Sequence, residues 1–162
     1  MNTYQFLSEA VADLQALTYA GGEPVFAAES VFVSIAPEDE VYTTYRTPMA
    51  ILAPLGFRAD EEDPRLLDQT IGLRLVTAAQ GDERGTNALM GAHRVSAGDS
   101  RGAGLLQLEE AVMDVMAKVG EAEGLSIELR AGSAGRARLL GDGRYMAVRD
   151  YEFRAYLTSI AT

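Results

Sequence analysis

The chain has 162 residues, 48% of them hydrophobic and 23% charged, with a formal net charge of −10. That length suits one domain, residues 1–162, whose core removes about 70% of the unfolded surface from water, and the composition excludes a disordered chain. The acidic balance argues against sequence-independent nucleic-acid binding, which depends on cations that neutralise phosphates, and the absence of cysteine excludes disulfides, thiolate metal sites and cysteine nucleophiles.

The first residues, MNTYQFLSEAVADLQ, lack a basic region followed by an apolar stretch, and no window approaches the 18 apolar residues of a membrane span, so cytosolic synthesis is expected. Asn2 or Thr3 caps a first helix in which Phe6, Leu7, Ala10, Val11, Leu14 and Leu17 form one stripe, ending at Gly21 and Gly22. Ser30 to Ile35 alternates Val31, Val33 and Ile35 on one side. Val41 to Arg46 is β-branched and aromatic, and Pro37 to Glu40 between them reads as the turn of a hairpin. Met49 to Leu52 lies between two prolines, which limits it to a short or edge strand. Thr70 to Thr77 alternates most clearly, with Ile71, Leu73 and Leu75 on one face and Gly72, Arg74 and Val76 on the other.

Residues 79 to 104 lose periodicity and carry glycines at 81, 85, 91, 98, 102 and 104, with at most one helical turn at Thr86 to Gly91. Loops of that length in compact domains are usually functional or disordered. A second long helix follows over Leu105 to Val119, with Leu105, Leu106, Leu108, Val112, Val115, Met116 and Val119 on its apolar face and Gly120 as its stop. Leu125 to Arg130, a short piece at Arg138 to Leu140, and Tyr145 to Leu157 read as strands, the last with a bulge near Asp150 and Tyr151. The order predicts an α+β fold: a mixed, mostly antiparallel sheet flanked by two main helices, with a long Gly/Arg-rich loop at about 79–104.

No motif assembles a catalytic constellation. Gly98 to Gly104 lacks the lysine of a phosphate loop and the third glycine of a dinucleotide fingerprint. His93 is the sole histidine, too few for a multi-histidine metal site. Its neighbours Ser96, Asp99 and Ser100 share one glycine-bearing loop rather than a rigid scaffold. Asp60 to Asp63 lacks the spacing of a calcium loop and reads as a solvated acidic turn. No cofactor, no metal and no enzymatic activity are expected. Charge is uneven, with 8 Lys and Arg against 21 Asp and Glu over residues 1–129, but 6 arginines against 3 acids over residues 130–162, so copies of the chain can attract one another head to tail.

Two phrases, YRTPMAILAPLGFRADEEDPRLLDQTIGLRLVTAAQGDERGTNALMG at 45–91 and SRGAGLLQLEEAVMDVM at 100–116, resemble the tail terminator or tail-completion proteins of long-tailed bacteriophages. The order of parts is similar across most of the chain. The resemblance implies a structural virion protein, assembled in the host cytoplasm as a homo-oligomeric ring, a hexamer in the family. Such a ring caps the tail tube, ends its polymerisation and meets the head-completion or connector protein, with DNA passing only through the lumen and no membrane involved. Arg84, His93, Arg94, Asp99, Arg101, Arg136 and Arg138 are the residues expected at subunit or tail-tube contacts. Alternatives are another phage neck or minor tail protein, a small nucleotide- or phosphate-binding enzyme using Gly98 to Gly104, and an adaptor binding peptides at a sheet edge.

Overall fold

The computed structural model describes residues 1–19, 21–37, 47–79, 85–91, 104–121, 127–140 and 143–158. These form a mixed, mostly antiparallel six-stranded sheet with helices on one face, an α+β fold as expected. Helix α1 (Thr3–Gln15) starts at a capping box: the Asn2 side chain accepts from the Gln5 backbone N–H and the Gln5 side chain accepts from the Asn2 N–H, each at 2.9 Å. Phe6, Leu7, Ala10 and Leu14 are buried. The helix stops at Gln15, earlier than the glycines suggested; Gly21 and Gly22 instead close a tight turn joined by a Thr18–Pro24 bridge.

Strand β1 (Val31–Val33) pairs in parallel with β2 (Met49–Ala59), so its described partner is not the second arm of a hairpin; Val41 to Arg46 lie outside the described residues. Only Val31 of the expected β1 face is buried, and Ile35 is 90% exposed. Beyond the strand the chain turns towards the helix-free face, where the Pro37 carbonyl accepts from Arg74 at 3.0 Å. Strand β2 runs through Pro54 instead of stopping at it. The proline sits beyond the last β1 contact, at Leu52, and beside a register break at Leu55, so the interruption falls where the strand has become an edge. The break leaves the Gly56 carbonyl to Gln69, whose Nε2 donates to it at 2.6 Å.

Strand β3 (Leu66–Ala79) pairs with β2 and with β6 (Tyr145–Thr158), both antiparallel. Ile71, Leu73 and Leu75 face the helices and Val76 faces away, as their alternation required. The β3–β6 register is unbroken, so β6 has no bulge against β3 near Asp150. Its apolar pattern slips because Met146 and Val148 enter a second cluster on the helix-free face with Met49, Ile51 and Val76, while Tyr151, Phe153, Ala155 and Leu157 join the main core. The irregularity lies on the neighbour, β4 (Ile127–Gly132), between Leu129 and Ala131. β5 (Arg136–Leu139) pairs with β6 beyond the end of β4, and Ser133 bridges the gap: its N–H donates to the Asp150 carbonyl and its Oγ accepts from the Asp150 N–H.

Helix α2 (Thr86–Met90), one turn, sits against β3 and β6, with the Thr77 hydroxyl donating to the Ala88 carbonyl at 2.5 Å. It divides the expected 79–104 loop, of which 80–84 and 92–103 lie outside the described residues. Helix α3 (Leu105–Glu121) buries Leu105, Leu108, Val112, Val115, Met116 and Val119. Two details of this helix differ from expectation: Leu106 is 41% exposed, because it lies one residue off the stripe, and the helix runs through Gly120 to Glu121. Its Gly104 carbonyl accepts from the Leu108 N–H. The Gly104 backbone packs against that of α2 so closely that an added Cβ would lie 2.0 Å from the Gly91 nitrogen and 2.4 Å from the Met90 carbonyl carbon.

Candidate functional site

Period-two alternation sorts β3 and β6 into two chemistries. Towards the helices, the one charged position is Arg149, whose guanidinium donates to Glu109 of α3 at 2.7 Å; the same Glu109 oxygen accepts from the Tyr151 hydroxyl at 2.6 Å. Burial and the Glu109 hydrogen bond push the Tyr151 phenol far above its ordinary range. This network joins α3 to the sheet.

The helix-free face carries the surface chemistry. Next to its apolar cluster, Arg74 donates from Nε and a terminal nitrogen to Asp150 at 2.6 and 2.9 Å, and Arg136 of β5 adds a third contact to Asp150 at 3.0 Å. Further along the strands, Gly56, Phe57, Arg58, Asp68, Thr70, Arg130, Glu152 and Arg154 line an open groove of about 550 Å³. Arg154 grips Asp68 with both ends of its guanidinium, through Nε at 2.6 Å and a terminal nitrogen, and stacks over the Tyr156 ring at 4.8 Å. Arg130 pairs with Glu128 at 2.7 Å. Among the described residues Arg58 and Glu152 make no ion pair. Arginine stays protonated across the working pH range, so Arg58, Arg130 and Arg154 bring fixed positive charge to a groove that Asp68 and Glu152 also line.

The Arg154 hydrogen bond holds the Asp68 carboxyl below its ordinary range, with Arg130 and Arg58 adding to the effect. The pair therefore stabilises the fold above the unfolded carboxylate value of about 3.9, and that contribution disappears as pH falls through the depressed folded value. Asp68→Asn is expected to lower the melting temperature at neutral pH but to have progressively less effect on acidification. Melting curves of the two proteins over an acid series check this. A deficit that stays constant down to about pH 2 would show that Asp68 is not so coupled.

No protein-family model and no curated protein matches this chain. Among the described residues no helix is long and apolar enough to cross a membrane, and no group of three or more His, Asp or Glu is gathered to hold a metal ion. The acidic turn at 60–63 uses its two aspartates locally: Asp60 Oδ1 accepts the N–H groups of Glu62 and Asp63, and Asp63 pairs with Arg65. That is the internal bonding of an Asx turn.

Of the residues expected at contacts, Arg136 and Arg138 fall on β5, exposed at the edge of the sheet beside β6. Arg84, His93, Arg94, Asp99 and Arg101 lie outside the described residues. Arg58, Asp68, Arg130, Asp150 and Arg154, which build the groove and its flank, were not anticipated. The signal available in sequence was the charge at every second position of β6, Asp150, Glu152 and Arg154, opposite the apolar set. Which β3 residues they meet depends on register, which is set by tertiary packing.

Proposed function

We propose that the protein is a structural virion subunit that caps a phage tail tube as a ring, ends tube polymerisation and offers its other face to the head-side connector protein. The resemblance of residues 45–91 and 100–116 to tail terminators supplies the class. One structural observation carries the assembly: two regions of the surface carry unlike charge. The turn joining β2 to β3 presents Glu61 and Glu62, exposed and without an ion-pair partner among the described residues, whereas β4 and β5 expose Arg138 together with Arg130 and Arg136, which pair with Glu128 and Asp150. Unlike surfaces on one subunit produce head-to-tail contacts, and these close into rings when the rotation allows. Arg84, His93, Arg94, Asp99 and Arg101 belong to the same proposal as contacts to a neighbour or to the tube. The assembly works in the virion, at the neck end of the tail, and needs no cofactor.

Sedimentation of the purified chain at high concentration, alone and with tail tubes, is the direct test. The expected result is a discrete ring species that co-sediments with tubes and blocks further addition of tube protein. A chain that stays monomeric and does not bind tubes would exclude this function. A ring that binds tubes at their head-distal end would favour another minor tail role.

A further inference from the structure

We infer that the outer edge of β2 at Pro54–Ala59 pairs antiparallel with the outer edge of β4 on a second copy of the chain, so that one sheet continues from subunit to subunit. This pairing rests on the ring reading and specifies the contact.

The motivating feature is the exposure of both strands. Met49 to Ala53 of β2 are buried, but all five residues from Leu55 to Ala59 are exposed, on both faces. β4 likewise exposes Glu128 to Gly132. Each bare stretch carries large apolar groups, Phe57 at 65% and Leu55 at 50% on β2 and Leu129 at 54% on β4. Among the described residues β1 reaches only to Leu52 of β2, and β4 has β6 on one side and no strand on the other. Open edges that carry apolar side chains are templates for another strand, and proteins that remain single normally blunt them.

Geometry selects which edge meets which. The two edges lie at the same height across the sheet, in the rows Phe57–Gln69–Ala155–Ile127 and Gly56–Thr70–Arg154–Glu128. Three successive antiparallel steps, β2 to β3 to β6 to β4, leave β2 and β4 running in opposite directions. A closed ring has no rise per subunit, so rotation about an axis along the strands brings the next copy's β4 level with β2 and antiparallel to it. Phe57 then meets Ile127 of the second copy directly and its Leu129 diagonally. On the opposite face Arg58, without an ion pair of its own among the described residues, stands diagonal to Glu128 of the second copy, which Arg130 of the same strand already pairs. Apolar groups meet apolar groups, and Arg58 adds a second cation to a shared acid.

Because the chain has no cysteine, single thiols report the contact directly. Phe57→Cys and Leu129→Cys, both at exposed positions, are prepared separately, mixed, and treated with a short bis-maleimide. The expected result is a cross-linked dimer in the mixture and none in either variant alone, and the double variant should give a ladder that stops at the ring number. Arg58→Glu should reduce the yield roughly two- to fivefold, and adding Glu128→Arg should restore it. Cross-links within either single variant alone would overturn the pairing in favour of a two-fold contact. Sedimenting oligomers without 57–129 cross-links would overturn the pairing and leave the ring reading standing, whereas a strictly monomeric chain would overturn both.

Discussion

Gly104→Ala is expected to cost roughly 3 kcal/mol of stability, at the upper end of what forced overpacking usually costs, and to lower the melting temperature by about 6–12 °C. The new methyl group would stand 2.0 Å from the Gly91 nitrogen, 2.4 Å from the Met90 carbonyl carbon and 2.7 Å from the Leu89 carbonyl oxygen. All three are backbone atoms of α2 or its cap, so no side chain can rotate away to relieve the contact. Either α3 withdraws from α2 or α2 unwinds. Leu105 and Ala88, both buried beside this contact, would be disturbed in either case. Gly56→Ala is the matched control, since nothing lies within 4 Å of its added Cβ, and it should melt within about 2 °C of the parent. Equal melting temperatures for the Gly104 and Gly56 variants would contradict the close approach of the two helices.

Arg74→Ala is the second substitution expected to have a large effect, about 2 kcal/mol, or roughly 4–8 °C in melting temperature. The Arg74 side chain is only 11% exposed, and it joins three segments distant in sequence: its own strand β3, Asp150 on β6 and the Pro37 carbonyl beyond β1. Its loss leaves Asp150 without its bidentate partner and the Pro37 carbonyl without that donor. The effect falls below that of breaking a fully buried pair because Asp150 is about a third exposed and keeps its contact with Arg136. Denaturant titration of Arg74→Ala, Asp150→Ala and the double variant checks the coupling. The double variant should lose clearly less than the sum of the two single variants; strict additivity would show that the two groups act separately.

Elements whose burial follows one simple period were the ones legible in sequence. The α1 stripe, the β3 alternation and the α3 face each repeat at the spacing of their own backbone, so Phe6, Leu73 and Met116 were placed correctly without tertiary information. Difficulty arose where the environment changes along an element. β2 reads as a short strand over Met49 to Leu52 only, because Pro54 separates a stretch buried on both faces from one exposed on both. The β6 pattern reads as a bulge because Met146 and Val148 have an apolar cluster of their own behind the sheet. Gly104 looked like one more residue of a glycine-rich loop, since its constraint comes from a helical turn folded beside it. Of the candidate surface, the excess of arginine from residue 130 onward was read from the sequence, but the charge at every second position of β6 was not. Its pairings, Arg74 with Asp150 and Arg154 with Asp68, join residues 76 and 86 positions apart and follow from strand register.

The contact between Gly91 and Gly104 also ties α2 to α3 through main chain alone. Gly91, which caps α2, has φ +88°, and Gly104 leaves no room for a Cβ, so both sides of the junction depend on the absence of a side chain. Two glycines thirteen positions apart in sequence therefore hold one joint between two helices, and a side chain at either of them would alter the whole joint.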